Sequence, residues 1–342
     1  RAEQAALYEA LTTPMSTRFG VSVRSDNIDV ALYHDSARVR LETNVAARIR
    51  QRHIAPYVEQ EIVLPWAQLQ IGLRADYASF DVENLNASSD GSDGVANRLI
   101  FSPKANLVVP VTSELAAFAN SGFGFHSNDA RTAVMQRELP SLARAFGLEV
   151  GSRYTSGDGR FTASAAAWQL DLESELVYVG DEGTTEESGR TRRRGVDVEV
   201  HATPLDWLSI GSNATLSQGR FRDLPNGENH IPLAPTFTLS GTARATFGDF
   251  AVLGRVRSVS DRPANEANTV RALGFTITDL SASYRIGNVE LSAHVENIFD
   301  EVWNEAQFDT ESRLRGESSA VSELHFTPGA PRSARCGVAV GF

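Results

Sequence analysis

From about Thr17 to the C-terminus, apolar and polar residues alternate with a period of two. Leu69, Ile71, Leu73 and Ala75 interleave with Gln70, Gly72, Arg74 and Asp76; Val196, Val198 and Val200 with Asp197, Glu199 and His201. Leu280, Ala282, Tyr284 and Ile286 alternate with Asp279, Ser281, Ser283 and Arg285, and Val289, Leu291, Ala293 and Val295 with Glu290, Ser292, His294 and Glu296. Each run predicts a strand with one oily and one polar face. The last segment puts Cys336, Val338, Val340 and Phe342 on one side and Gly337, Ala339 and Gly341 on the other. Such a strand suits a wall between lipid and a lumen, because a soluble edge strand more often carries a charge or proline.

The punctuation has its own pattern. Short turns are expected at 25–27, 64–66, 111–114, 156–159, 203–206, 247–249 and 287–288, rich in Gly, Asn, Asp and Pro. Long connections are expected at 84–95, 126–145, 180–192, 222–235, 261–273 and 300–330. Short and long alternate, so one sheet end collects the turns and the other the loops, as in outer-membrane barrels. The pattern predicts about 15 strands: 17–25, 28–42, 50–64, 67–83, 95–109, 114–125, 143–155, 160–179, 190–203, 207–221, 235–247, 249–260, 274–286, 289–299 and 331–342. Residues 1–16 read as a loop remnant. The fold class is all-β: an antiparallel up-and-down transmembrane barrel over 17–342, with an odd strand number that points to a missing N-terminal part. A soluble propeller or stacked sandwich is the rival, and strands as long as 161–179 disfavour it.

Composition narrows the function. The 342 residues carry 32 Lys and Arg against 43 Asp and Glu, a net charge of −11, which argues against a nucleic-acid partner. No apolar run approaches the roughly 18 residues of a membrane helix. One cysteine allows no intrachain disulfide and no cysteine metal site. The chain begins at Arg1 with no signal peptide, and is expected to be a fragment.

Several segments together resemble the TonB-dependent outer-membrane receptors. Val295-Glu-Asn-Ile-Phe-Asp-Glu-Val-Trp303 resembles their penultimate-strand motif, and Thr327-Pro-Gly-Ala-Pro-Arg332 with the strand after it resembles their closing segment. Ile231-Pro-Leu-Ala-Pro-Thr236, Tyr57-Val-Glu-Gln-Glu61, Gly72-Leu-Arg-Ala-Asp76 and Gly122-Phe-Gly-Phe-His126 through Arg131 resemble further family strands, in the family order. The resemblance implies a barrel of about 22 strands around an N-terminal plug. This chain would hold the C-terminal ~15 of them, with the plug absent. It further implies energised uptake of a scarce nutrient chelate, with a ferric siderophore as cargo. The partners would be the TonB–ExbB–ExbD complex through the plug region, membrane lipid and lipopolysaccharide, and the barrel assembly machinery, which reads a terminal aromatic such as Phe342. A passive porin, and less so a barrel enzyme, are the alternatives.

Candidate site residues are few. His126, Asn128, Asp129 and Arg131 form a polar rim where a strand becomes a loop; a ligand role competes with simple turn capping and ion pairing. His126-Ser-Asn-Asp129 holds the ingredients of a hydrolase triad, but adjacent side chains on extended backbone point apart and no catalytic site is expected. Arg192 and Arg193, with Arg190 and Arg194, could bind an anionic ferric chelate or lipopolysaccharide phosphates, or be neutralised by Asp181, Glu182, Glu186 and Glu187. The histidines lack metal-ligand spacing, and no cofactor motif is present. Trp66 and Trp207, at short turns, fit an interfacial aromatic girdle.

Overall fold

The computed structural model describes residues 2–10, 13–86, 93–127, 129–135, 142–179 and 184–341. In chain order the elements are β1 (Ala2–Ala10), β2 (Thr13–Ser36), β3 (Val39–Leu64), β4 (Ala67–Asn84), β5 (Gly94–Pro110), β6 (Leu115–Ser127), α1 (Ala130–Met135), β7 (Leu142–Thr155), β8 (Phe161–Leu172), β9 (Glu175–Val179), β10 (Thr184–Ser188), β11 (Thr191–Leu205), β12 (Leu208–Phe221), β13 (Phe237–Phe247), β14 (Phe250–Val259), β15 (Arg262–Pro263), β16 (Arg271–Ala272), β17 (Phe275–Ile286), β18 (Val289–Glu296), β19 (Asn304–Ser312), β20 (Val321–Pro328) and β21 (Ser333–Val340). One sheet of 15 strands runs β1 to β8, then β11 to β14, β17, β18 and β21. The pairs β9–β10, β15–β16 and β19–β20 are separate two-stranded ribbons inside long connections.

The N-terminal quarter departs from the expected pattern. Residues 1–16 were expected as loop, yet β1 pairs along its length with β2, from Ala2 opposite Val21 to Ala10 opposite Thr13. The edge of β2 supplies hydrogen-bond partners that a weakly alternating segment cannot announce by itself. The turn expected at 25–27 is extended backbone in the middle of β2, where Arg24 donates to Asp26 at 2.7 Å. The chain instead reverses at Ala37 and Arg38, both with positive φ (49° and 67°). A two-residue hairpin turn with left-handed centres usually carries Asn or Gly, so Ala-Arg gives no warning. The main sheet therefore has 15 strands, but its first three are not the expected first three.

Elsewhere the short connections agree with the pattern: Pro65–Trp66, Val111–Glu114, Ser156–Arg160, Gly248–Asp249 and Gly287–Asn288. The turn expected at 203–206 falls at Asp206–Trp207. The expected strand 160–179 is broken between Leu172 and Glu175, and the expected loop 126–145 contains α1.

The chain divides into two compact units. In the first (Arg1–Val109, Phe118–Leu148 and Leu170–Thr191) the register lines up side chains in rows across β2, β3, β4 and β5. One face carries Phe19, Val58, Leu73 and Pro103 in a row, and Val23, Ile54, Tyr77 and Leu99 in another. These apolar residues are all exposed. The opposite face is polar along most of its length, with Arg18, Glu59, Gly72 and Lys104 in a row. Toward the loop end this polar face turns apolar: Ala47, Ile49, Phe80, Val82 and Ala96 form a buried cluster capped by Ala130, Ala133 and Val134 of α1.

In the second unit (Pro110–Ala117, Glu149–Gln169 and Arg192–Phe342) the same segregation runs through to the last strand. Phe247, Phe250, Tyr284, Leu291 and Val338 form one row. The opposite face holds Thr242, Arg255 and Asp279 in one row and Ser281, His294 and Arg335 in another. Trp207 stacks on Phe247 (centroids 4.9 Å apart) at the turn end, where an aromatic girdle belongs.

Candidate functional site: the polar wall

In the first unit the polar face is a network of ion pairs. Glu59 on β3 is the hub, accepting from Arg18 on β2 at 3.2 Å and from Lys104 on β5. Lys104 is two strands away and reaches Glu59 by lying across Gly72. A Cβ at Gly72 would meet Lys104 Cε at 2.9 Å and Glu59 Cγ at 3.4 Å. The facing segments containing Tyr57, Glu59, Gly72 and Arg74 thus form one device: the acid on β3 needs the glycine opposite to meet its lysine. Gln70 and Asn106 extend the network, with Asn106 donating to Gln70 at 2.9 Å. A cavity of about 260 Å³ lies here, lined by Tyr57, Glu59, Arg74, Ser102, Lys104 and Phe123 among others.

Higher on the same wall, the carboxylate of Asp76 is fully buried. Arg74 Nε donates to both its oxygens at 2.8 and 3.0 Å. His53 Nε2 sits 2.8 Å from Asp76 Oδ1, off the line a hydrogen bond requires. The second unit has a counterpart. Asp279, nearly buried, accepts from Arg255 at 2.7 and 3.0 Å, lies 3.8 Å from Arg257, and accepts the backbone N–H of Asn297 at 3.0 Å.

Asn297 explains the motif that contains it. It is buried with a positive φ of 52°, its side chain donates to the carbonyls of Glu301 and Ala330, and it accepts from the Glu301 N–H. Trp303 then covers Gly329, where a Cβ would collide with the indole, and donates to the Ala330 carbonyl at 3.0 Å. The 295–303 and 327–332 segments are therefore two halves of one joint that delivers the chain into β21.

The rim residues occupy ordinary structural positions. His126 Nε2 lies 2.9 Å from the Ser174 carbonyl. Asp129 caps α1, accepting the Arg131 N–H at 2.8 Å, and its carboxylate also pairs with the Arg131 guanidinium. Burial alone would push the Asp129 carboxyl up; the Arg131 side chain and backbone N–H outweigh it and hold it below the usual carboxylate range. Asn128, Phe342, Asp181 and Glu182 lie outside the described residues, as do the side chains of Glu186 and Glu187. Arg192 and Arg193 open β11, where the pleat separates them: Arg192 shares parity with Val196 and Val198, Arg193 with Asp197 and Glu199. Arg193 packs beside Gly219 on the polar face. The Glu59–Gly72–Lys104 crossing and the Asp279–Asn297 joint went unread in the sequence, because the first joins three strands and the second joins a strand to the turn after β18. Among the described residues, no three His, Cys, Asp or Glu side chains come together as a metal cluster.

The sequence and fold have clear relatives. Residues 7–298 match the β-barrel of TonB dependent receptor-like proteins. The chain is 24% identical over 332 residues to the ferrioxamine receptor of Yersinia enterocolitica, covering 91% of this chain and 44% of that protein. It superposes on the ferric citrate transporter FecA with a TM-score of 0.77 (18% identity, 98% of this chain and 53% of that one). The ferric-catecholate import receptor Fiu from E. coli K12 gives a TM-score of 0.76 (15% identity, 99% and 54%). The chain thus spans about half the length of these relatives, which are receptors and transporters and not enzymes. A two-faced antiparallel sheet with an ion-paired polar wall is what that family's outer-membrane barrels require, and this chain belongs to the TonB-dependent receptor β-barrel family.

Proposed function

We propose that the chain forms the C-terminal barrel wall of an outer-membrane receptor that takes up a ferric siderophore in a TonB-dependent manner. The apolar face sits in lipid, the polar face lines the lumen, and every strand is bonded to its neighbours because lipid offers no partners. The observation that carries this reading is the wall from β2 to β5. A continuous apolar row backs a continuous ion-paired row, in a family whose relatives include a ferrioxamine receptor. In this reading the plug, the remaining strands and the contact with TonB–ExbB–ExbD belong to parts of the receptor outside this sequence, and the loop end faces outward.

A passive pore is the second reading. It is favoured by one feature: α1 packs on the polar-face side of β3 to β5, as an inward-folded constriction would. Radioiron uptake separates the two. Iron-starved cells expressing the receptor are offered iron as a hydroxamate, a catecholate or a citrate chelate, with TonB present or deleted. Uptake of one chelate that vanishes without TonB is expected. Uptake that is indifferent to TonB and scales with solute size would replace the receptor by the pore.

A further inference from the structure

The rows of β2 to β5 measure how much of the wall lies in lipid. On the apolar face the row at the turn end pairs Leu64 with Ala67, beside the exposed Trp66. The last apolar row toward the loop end is Val23, Ile54, Tyr77 and Leu99. Leu64 to Ile54 is a step of ten residues along β3, roughly 33 Å at about 3.3 Å per residue. With strands tilted by about 40° this is a height of about 25 Å, the thickness of a barrel's apolar band. Its one polar interruption is closed by Thr17, which donates to Gln60 at 2.6 Å.

The next row outward is Ser25, Arg52, Ser79 and Asn97, on the same face. It stands two residues beyond Ile54, about 5 Å higher, where the headgroup layer begins. Among the described residues, none of these four side chains makes a hydrogen bond or ion pair. Further out the pattern changes. Arg50 meets Asp81 at 3.4 Å, and Arg48 meets Asp29 at 3.0 Å and Glu83 at 3.5 Å. Asp81, the acid nearest to Arg52 in register, lies one row beyond it and is taken up by Arg50. The acids of these rows are thus matched to arginines, and Arg52 at the border of the apolar band is left over.

We propose that Arg52, flanked by Ser25 and Ser79, binds the phosphate of a phosphorylated lipid in the surrounding outer leaflet. This rests on the outer-membrane reading above. Guanidinium suits the place, since its fork meets two phosphate oxygens at once and its aliphatic stem tolerates the edge of the apolar layer. The adjoining strands set Ser25 and Ser79 about 4.8 Å to either side, so two hydroxyls can donate to the remaining oxygens. Tyr77, in the row beneath, is the amphipathic ring expected at such a border. Arg24, next to Ser25 in sequence, belongs to the polar face, is held by Asp26 and has no part in the site.

The test expresses the receptor that contains this chain in a Gram-negative outer membrane and moves it into phosphatidylcholine nanodiscs. Native mass spectrometry then counts bound bisphosphorylated lipid A against dephosphorylated lipid A. Wild type should retain the bisphosphorylated form preferentially. R52Q should lose about tenfold in that retention, the worth of one charge-assisted contact. R24Q, at the same height on the opposite face, should retain lipid as wild type does, and all three should keep the same heat-modifiable gel mobility. Retention by R52Q equal to wild type, or a loss of the same size in R24Q, overturns the site. Equal retention of the dephosphorylated lipid by wild type overturns phosphate as the recognised group. Complete displacement by inorganic phosphate, without preference for the lipid-borne group, overturns the lipid assignment. A wild-type receptor with no heat-modifiable band refutes the outer-membrane reading and this site with it, an outcome distinct from a folded barrel that ignores the lipid.

Discussion

Asp76 and Asp279 are both buried acids on the polar wall, both faced by arginines, and they do different work. The partners of Asp76 are side chains of the wall itself: Arg74 two residues away on β4, and His53 on the adjoining β3. Asp279 is tied in addition to the backbone of Asn297, and through it to Glu301 and Ala330. The first acid neutralises a stretch of wall; the second sets where the next part of the chain may go. What a buried acid contributes depends less on its charge partner than on whether a backbone group also depends on it, because a stranded buried N–H finds no substitute.

The sharpest way to break this contrast is Asp279→Ala. It strands the Asn297 N–H and the Arg255 guanidinium together, and should cost about 3–5 kcal/mol. The midpoint of the heat-modifiable gel transition would drop accordingly. Register can be read at the same time with Ala293→Cys, since Ala293 lies opposite Cys336. That disulfide should form in the otherwise unchanged chain and fail in the Asp279→Ala background. Asp76→Ala should cost less, about 1–3 kcal/mol, and leave the 293–336 crosslink intact. Equal losses of crosslinking in the two variants would erase the distinction.

A smaller effect is expected from Gly72→Val. It pushes Lys104 off its path to Glu59 and should destabilise by about 1–3 kcal/mol through overpacking. Gly72→Val combined with Lys104→Ala should recover part of that loss, because the added side chain then occupies space the lysine has vacated.

The smallest concerns α1. Asp129→Ala removes a helix cap worth about 1 kcal/mol, visible as faster amide exchange at Ala133. The folded carboxyl of Asp129 lies below its ordinary value. Its contribution is therefore complete above the unfolded value of about 3.9 and is lost as pH falls through the lower folded one. Protection of the α1 amides, taken relative to the free-amide rate at each pH, should fall only on that acidic side and should not vary with pH in Asp129→Ala.

Much of the wall could be read in advance, because a period of two is a property of single strands. Val196, Val198 and Val200 share one face and Asp197 and Glu199 the other, as the alternation required. Five of the short turns were announced by Gly, Pro, Asp or Asn. The turn at Ala37–Arg38 was not, since its positive φ values come from the pairing of β2 with β3 and from no residue preference. By the same logic Ser25-Asp-Asn27, a turn by composition, is strand because ladders on β3 hold it extended. The arginine run at 190–194 was legible as charge but not as geometry: only the pleat divides Arg192 from Arg193. Crossings such as Lys104 over Gly72 depend on register across three strands, which one strand's sequence does not contain.

The reach of β2 and β3 has a consequence for solubility in a crowded medium. β3 loses its β4 partner beyond Ala47, where Asn84 pairs with it, and the Asn86 side chain closes only the next stretch by donating to the Thr43 and Asn44 carbonyls. Among the described residues, from there to Val39 that side of the hairpin is an open edge of about four residues, roughly 13 Å at about 3.3 Å per residue. Such an edge invites other chains to add a strand. Here the register slips at Leu32/Tyr33 and again at His34/Asp35, and Arg38, Arg40 and Glu42 crowd the tip with charge. The irregular ladder that spoils the hairpin's symmetry thus guards the short open tip of a long arm against strand addition.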